Sequence, residues 1–166
     1  PTTIHLEYGT PDSDTTKLKV NRANYPWSDY WYGGTIGSLE RILNLCPDTI
    51  IIAHGPGWWS HVSADDLYDK QNYPNTKVTP GGLNPLMLQK YPNLYADMSG
   101  NSGLNALTRD KEHGKEYIIQ NADNLLFARD IYGPAGIKLK DHIDSLSLPR
   151  AVLNKIMFEN AMKLIR

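Results

Sequence analysis

Short apolar runs alternate along this chain with segments in which apolar residues recur at helical spacing. The apolar runs predict strands over residues 2–7, 49–53, 93–99 and 125–130. The helical pattern predicts helices over 36–44, 83–90, 102–108 and 111–121, and a tail helix over 150–165 after a break at 146–149. Strands that alternate with helices pair in parallel through right-handed crossovers. We therefore expect residues 1–166 to form a single α/β domain of parallel βα units.

The connections between these elements are of two kinds. Each helix-to-strand joint is tight, whereas the segments 8–35 and 55–82, which follow strands, are far longer than the usual length of about 4–6 residues. Long connections at the carboxyl ends of parallel strands are where barrel enzymes carry their chemistry. The sequence thus predicts a functional face at the carboxyl ends of the strands.

Composition excludes some partners. The 166 residues include 17 Lys and Arg against 18 Asp and Glu, for a net charge of −1. The charges form no block of one sign, so we expect neither nucleic acid nor a membrane surface as partner. The single cysteine, Cys46, has no partner for a disulfide and is expected to be inert packing, and no apolar stretch reaches the roughly 18 residues of a membrane span. A cytoplasmic protein is the expectation.

Three of the apolar runs end in a potential metal ligand: His5, His54 and Asp130. Because the carboxyl ends of parallel strands lie on one face of a sheet, these side chains are expected to converge. Two imidazoles and a carboxylate suit a divalent metal, with zinc preferred and manganese as an alternative. Two simpler interpretations stay open at this point: the histidines could be ordinary hydrogen-bonded residues, and Asp130 could cap the following turn.

Four segments also resemble a known family. They are HGPGWW at 54–59, YPNLYADMS at 91–99, LLFARD at 125–130 and ENAMKL at 159–164. Their order and spacing are similar to the second half of the amidohydrolase-2 family. These proteins are metal-dependent (β/α)8 TIM barrels that include hydrolases and nonoxidative decarboxylases like aminocarboxymuconate-semialdehyde decarboxylase. The resemblance implies that His5 ends strand five of such a barrel, His54 strand six and Asp130 strand eight.

The resemblance also implies roles for these residues. His5 would be a metal ligand, His54 a ligand or a partner of the metal-bound water or substrate carbonyl, and Asp130 a ligand and general base. A bound divalent metal lowers the pKa of water from about 15.7 to about 7 and so supplies hydroxide at neutral pH. We expect a hydrolase that acts on a small carbonyl or carboxylate compound. A nonoxidative decarboxylase of the same family and a noncatalytic half-barrel are the alternatives.

The sequence departs from the family pattern at two places. The His-x-His pair that the family's first strand supplies does not occur, and Ala128-Arg129-Asp130 stands where the family has Gly-Thr-Asp or Gly-Ser-Asp. We therefore expect the chain to be the carboxyl-terminal half of a longer enzyme. Because half of a barrel leaves strand edges unpaired, we also expect a homo-oligomer or association with the missing amino-terminal half.

The remaining candidates are weaker. Glu7, Trp58 and Arg129 are candidate substrate-binding residues, although each also has a structural explanation: an exposed carboxylate, loop packing and an ion pair. Asp97 and Ser99 share one face of their predicted strand, where they could orient a metal-bound histidine or simply form a turn. The other histidines show no ligand spacing and are expected to be solvated or capping residues: His61, His113 and His142.

Overall fold

The computed structural model describes residues 1–5, 35–65, 67, 71, 73–130 and 134–165. The side chains of His5 and of residues 134–136 lie outside this description. Glu7, one of the candidate substrate-binding residues, also lies outside the described residues.

The described part is an α/β structure built on a four-stranded parallel sheet. Its strands are β1 (Thr2–His5), β2 (Ile51–His54), β3 (Leu94–Asp97) and β4 (Leu125–Leu126), and they lie side by side in chain order. The main helices between and after them are α1 (Ile36–Leu45), α2 (Pro56–Trp59), α3 (Leu83–Lys90), α4 (Gly100–Thr108), α5 (Lys111–Gln120) and α6 (Pro134–Ser145). The prediction of parallel βα units is confirmed.

The tail is helical, as expected, but it is not one regular helix. It consists of α7 (Arg150–Asn154), a π-helical turn over Lys155–Glu159 and α8 (Asn160–Leu164). The π-helical turn packs against the end of the sheet, where the backbone N–H of Phe127 donates to the carbonyl of Ile156 at 2.8 Å. This contact covers one edge of the sheet. At the opposite edge, β1 pairs only with β2 within the described residues, and Thr2 and Thr3 are exposed.

The two faces of the sheet differ in burial. Along β2 and β3, buried residues alternate with half-buried ones, so that Ile51, Ala53, Leu94 and Ala96 lie on the buried face. This face belongs to the same core as Leu39 and Leu43 of α1 and Leu107 of α4. Because side chains alternate along a strand, His54 and Asp97 lie on the other, half-buried face. The hydrophobic core therefore packs against one face of the sheet, and the candidate ligands lie on the other face.

Asparagine side chains tie the amino-terminal ends of the strands together. The amide of Asn93, just before β3, donates to the carbonyls of Cys46 and Thr49 at 3.2 and 3.0 Å. The amide of Asn124, just before β4, donates to Leu94 at 2.8 Å. In α8, the fully buried amide of Asn160 donates to the carbonyls of Ala122 and Leu125 at 2.8 Å each. The bonds from Asn124 and Asn160 satisfy buried backbone carbonyls at this end of the sheet, and those from Asn93 fix the turn between α1 and β2.

The backbones of α4 and α5 approach each other closely at Leu107 and Gly114. A Cβ atom added at Gly114 would lie 2.1 Å from the carbonyl oxygen of Leu107, so only glycine fits there. Asp110 caps α5 by accepting the backbone N–H of His113, and it also accepts the backbone N–H of Val78. Desolvation alone would raise the pKa of Asp110, but these two backbone hydrogen bonds, helped by Lys77 and His113, lower it below the ordinary value.

Two expectations about this architecture are wrong. The last strand ends at Leu126 rather than at Asp130, because the chain turns to meet the π-helical segment at Phe127. Cys46 is exposed rather than packed, since it follows the end of α1 at the surface. Among the described helices, none has the length and apolar character needed to cross a membrane.

Candidate active site

The candidate site lies at the carboxyl ends of the strands. His54 is the last residue of β2, and the backbone of His5, the last residue of β1, is its register partner. Neighbouring strands lie about 4.8 Å apart, so positions 5 and 54 are adjacent at this end of the sheet. Gly55 follows with φ of 94°, a left-handed conformation that glycine adopts without strain, and Pro56 then begins α2. The chain thus turns away sharply after His54.

Asp97, the last residue of β3, holds the ring of His54. Its Oδ1 atom lies 3.0 Å from His54 Nδ1. The same oxygen accepts the backbone N–H of Ser99 at 3.0 Å and the hydroxyl of Ser99 at 2.5 Å. Ser99 therefore forms a turn with the same carboxylate that contacts the histidine. In addition, the indole N–H of Trp59 donates to the backbone carbonyl of Asp97 at 3.1 Å.

The charge on Asp97 is stabilised by these contacts. Burial by itself would raise the pKa of the Asp97 carboxyl group, because its side chain is only 15% exposed. The hydrogen bonds with His54 and Ser99 outweigh this effect and lower the pKa below its ordinary value. At neutral pH, Asp97 is therefore a carboxylate and accepts from the imidazole.

Asp130 lies on the other side of the imidazole. Its Oδ2 atom is 4.0 Å from His54 Nε2, beyond the length of a hydrogen bond, and its side chain is 44% exposed. Gly100, the first residue of α4, packs against it: a Cβ atom at Gly100 would lie 3.1 Å from Asp130 Oδ2. The carboxylate thus lies near the amino terminus of a helix, where negative charge is favoured.

A divalent metal can be tested against this geometry. Neutral imidazole nitrogen and carboxylate oxygen are ordinary zinc and manganese ligands. Two bonds of about 2.0–2.1 Å at a tetrahedral angle would place the two ligand atoms about 3.3 Å apart, so the observed 4.0 Å requires about 0.7 Å of closure. The exposed side chain of Asp130 can make that adjustment. No group of three or more His, Cys, Asp or Glu side chains that could hold a metal occurs among the described residues. After such a closure, His54 and Asp130 would supply two ligands, and the predicted third, His5, has its side chain outside the description.

Trp58, another predicted site residue, does not line the space between His54 and Asp130. Trp58 has 0% exposure and is part of the hydrophobic core, so it does not present a surface for substrate. Arg129 is exposed and lies in the segment that follows β4.

The remaining histidines are more buried than expected. His61, expected to be solvated or capping, is 7% exposed and donates from Nδ1 to the carbonyl of Gly57 at 2.6 Å. His113 and His142 are half-buried, and desolvation lowers the pKa of each. His113 faces the ring of Tyr117 in a stacked arrangement, with 6.2 Å between ring centroids.

One residue of the site was missed from sequence. Gly100 has φ of 71°, and its lack of a side chain lets Asp130 approach α4. The available signal was a Ser-Gly pair directly after a predicted strand, where a helix begins at a glycine.

Comparisons with protein-family models, with curated proteins and with solved structures give no match to this chain.

Proposed function

We propose that this chain carries part of the active site of a metal-dependent, amidohydrolase-type hydrolase that acts on a small carbonyl or carboxylate compound. The observation that supports this proposal is the pairing of His54 with Asp130 at the carboxyl ends of parallel strands. An oriented imidazole and a carboxylate that is open to solvent face each other there across 4.0 Å. His5 is the third proposed ligand, and its backbone is the register partner of His54.

The metal, zinc first and manganese second, would supply Lewis acidity and lower the pKa of water. Asp130 would accept a proton from the attacking water and return it to the leaving group. His54, whose Nε2 lies 4.0 Å from Asp130 Oδ2, would hold either the metal or the substrate carbonyl. The side chain of Asp130 is 44% exposed, so a small molecule in solution could reach its carboxylate.

The fold supports the same proposal. Four parallel strands in chain order, with the core on one face and the candidate ligands on the other, are compatible with one half of a (β/α)8 barrel. In such barrels, the active site lies at the carboxyl ends of the strands, where His54 and Asp97 are found.

Metal binding is the first test. The chain is freed of metal with a chelator and titrated with Zn²⁺ and with Mn²⁺ in a calorimeter. His54→Gln and Asp130→Asn are expected to weaken Zn²⁺ binding at least about tenfold, because each removes one ligand. The matched controls are His142→Gln on α6 and the exposed Asp144→Asn. Affinities that are equal in the ligand variants and the controls would overturn the proposed site, as would a lack of binding.

Catalysis is the second test. The zinc-loaded chain is incubated with a panel of small esters, lactones and amides, and products are followed by mass spectrometry. Hydrolysis that is lost in Asp130→Asn and kept in Asp144→Asn supports the proposal. Release of CO2 from small unsaturated carboxylates without any hydrolysis would overturn it in favour of the decarboxylase alternative.

A further inference from the structure

We infer, on the basis of the proposed function, that Asp97 is a positioning residue that holds His54 in the Nδ1–H tautomer and directs the Nε2 lone pair toward Asp130. Asp97 contacts Nδ1 of the His54 ring, whereas the other ring nitrogen, Nε2, faces Asp130. Asp97 therefore acts through the imidazole of His54.

The chemistry of the contact determines the tautomer. A carboxylate oxygen can only accept a hydrogen bond, so at 3.0 Å from Asp97 Oδ1 the Nδ1 atom of His54 carries the hydrogen. A neutral imidazole with its hydrogen on Nδ1 has its lone pair on Nε2. That atom faces Asp130 Oδ2 at 4.0 Å. Two acceptors that face each other in this way form a suitable pair for a divalent cation between them.

Asp97 is itself firmly held. The backbone N–H and the hydroxyl of Ser99 both donate to the oxygen that contacts His54, at 3.0 and 2.5 Å. The indole of Trp59, which is 1% exposed, donates to the backbone carbonyl of Asp97. The carboxylate therefore cannot rotate away from the histidine without losing several hydrogen bonds. Carboxylates that orient metal-binding histidines in this manner commonly change metal affinity when they are removed.

The test is a ¹⁵N NMR measurement of the histidine rings in the metal-free chain, above the pH at which the rings become neutral. The signals of His54 are assigned by their loss in His54→Gln. In the wild type, we expect a protonated Nδ1 and an unprotonated Nε2. Asp97→Ala is expected to lose this preference, and Asp97→Asn, whose amide oxygen can still accept from Nδ1, is expected to keep more of it. The matched control, Asp144→Ala, should leave the ring signals unchanged.

A second measurement connects the tautomer to binding. Asp97→Ala should bind Zn²⁺ about 10–100-fold more weakly than the wild type, with Asp97→Asn between the two. A wild-type His54 ring with its hydrogen on Nε2 overturns the inference, and so does a tautomer that is the same in Asp97→Ala. Because the wild-type spectrum decides the first point, the inference remains testable if Asp97→Ala does not fold.

The two proposals can fail separately. If the ring is the Nδ1–H tautomer and responds to Asp97 while the chain neither binds Zn²⁺ nor hydrolyses any substrate, the positioning role stands and the proposed function is wrong. If Zn²⁺ binds and hydrolysis occurs while the tautomer of His54 is unchanged in Asp97→Ala, the proposed function stands and the positioning role is wrong.

Discussion

Replacing Gly114 by alanine is expected to destabilise the fold, although alanine is the better helix former. The new Cβ atom would lie 2.1 Å from the carbonyl oxygen of Leu107 and 3.0 Å from its carbonyl carbon. Both atoms belong to the backbone of α4, so they cannot move aside as a flexible side chain would. Relief of the contact requires α4 and α5 to separate by about 1 Å, which exposes or loosens the core beneath them.

The magnitude follows from two opposing effects. Overpacking of this kind costs about 1–3 kcal/mol or more. The higher helix propensity of alanine relative to glycine stabilises the folded state by about 1 kcal/mol at most. Because the contact is with backbone atoms, the cost of overpacking should lie in the upper part of its range, at about 2–3 kcal/mol. We therefore expect a net loss of about 1–2 kcal/mol in the free energy of unfolding, which corresponds to a fall in Tm of about 2–8 °C for a domain of this size.

Gly37 in α1 provides the matched control. Among the described residues, a Cβ atom at Gly37 would meet only the hydroxyl oxygen of Thr35, at an ordinary contact distance of 3.8 Å. Gly37→Ala should therefore stabilise the fold by about 0.4–1 kcal/mol, because alanine reduces the conformational freedom of the unfolded chain.

The assay is urea unfolding followed by circular dichroism and by tryptophan fluorescence, since coincident curves support two-state analysis. The same chemical substitution is expected to move the midpoint in opposite directions at positions 114 and 37. A Gly114→Ala midpoint at or above that of the wild type would refute the close approach of α4 and α5.

Three further outcomes are expected. Asn160→Ala should lower the free energy of unfolding by about 2–3 kcal/mol in the same urea assay, because two buried carbonyls lose their donor; a loss below about 0.5 kcal/mol would contradict this. Asp110→Ala should cost about 1 kcal/mol at neutral pH. The folded-state pKa of Asp110 is lowered, so its stabilisation is present above the unfolded-state pKa and is lost as pH falls through the folded-state pKa; unfolding curves whose difference from the wild type does not shrink in acid would refute this. Light scattering should show a dimer or larger assembly, because β1 (Thr2–His5) pairs on one side only within the described residues; a monodisperse monomer would be the contrary result.

Much of the secondary structure follows from local pattern. The helix over Leu83–Lys90 has the predicted bounds, and α1 and α5 differ from prediction by one residue at their ends. The short α2 was not predicted, because Pro56-Gly57 indicates a turn and the helix depends on the burial of Trp58 and Trp59. β4 likewise ends earlier than predicted because of a contact distant in sequence: the backbone N–H of Phe127 donates to the carbonyl of Ile156.

The sequence by itself determined the order of strands and helices and the placement of His5 and His54 at strand ends, because the periods of apolar residues are local properties of the chain. Only the tertiary structure decided that Asp97 holds the ring of His54 and that Asp130 faces its other nitrogen. These contacts join residues on different strands and loops, and their distances depend on strand register and on the close approach that Gly100 permits. The number and position of polar groups in a sequence do not specify such distances, because a shift of one residue in register would move each side chain to the other face of the sheet.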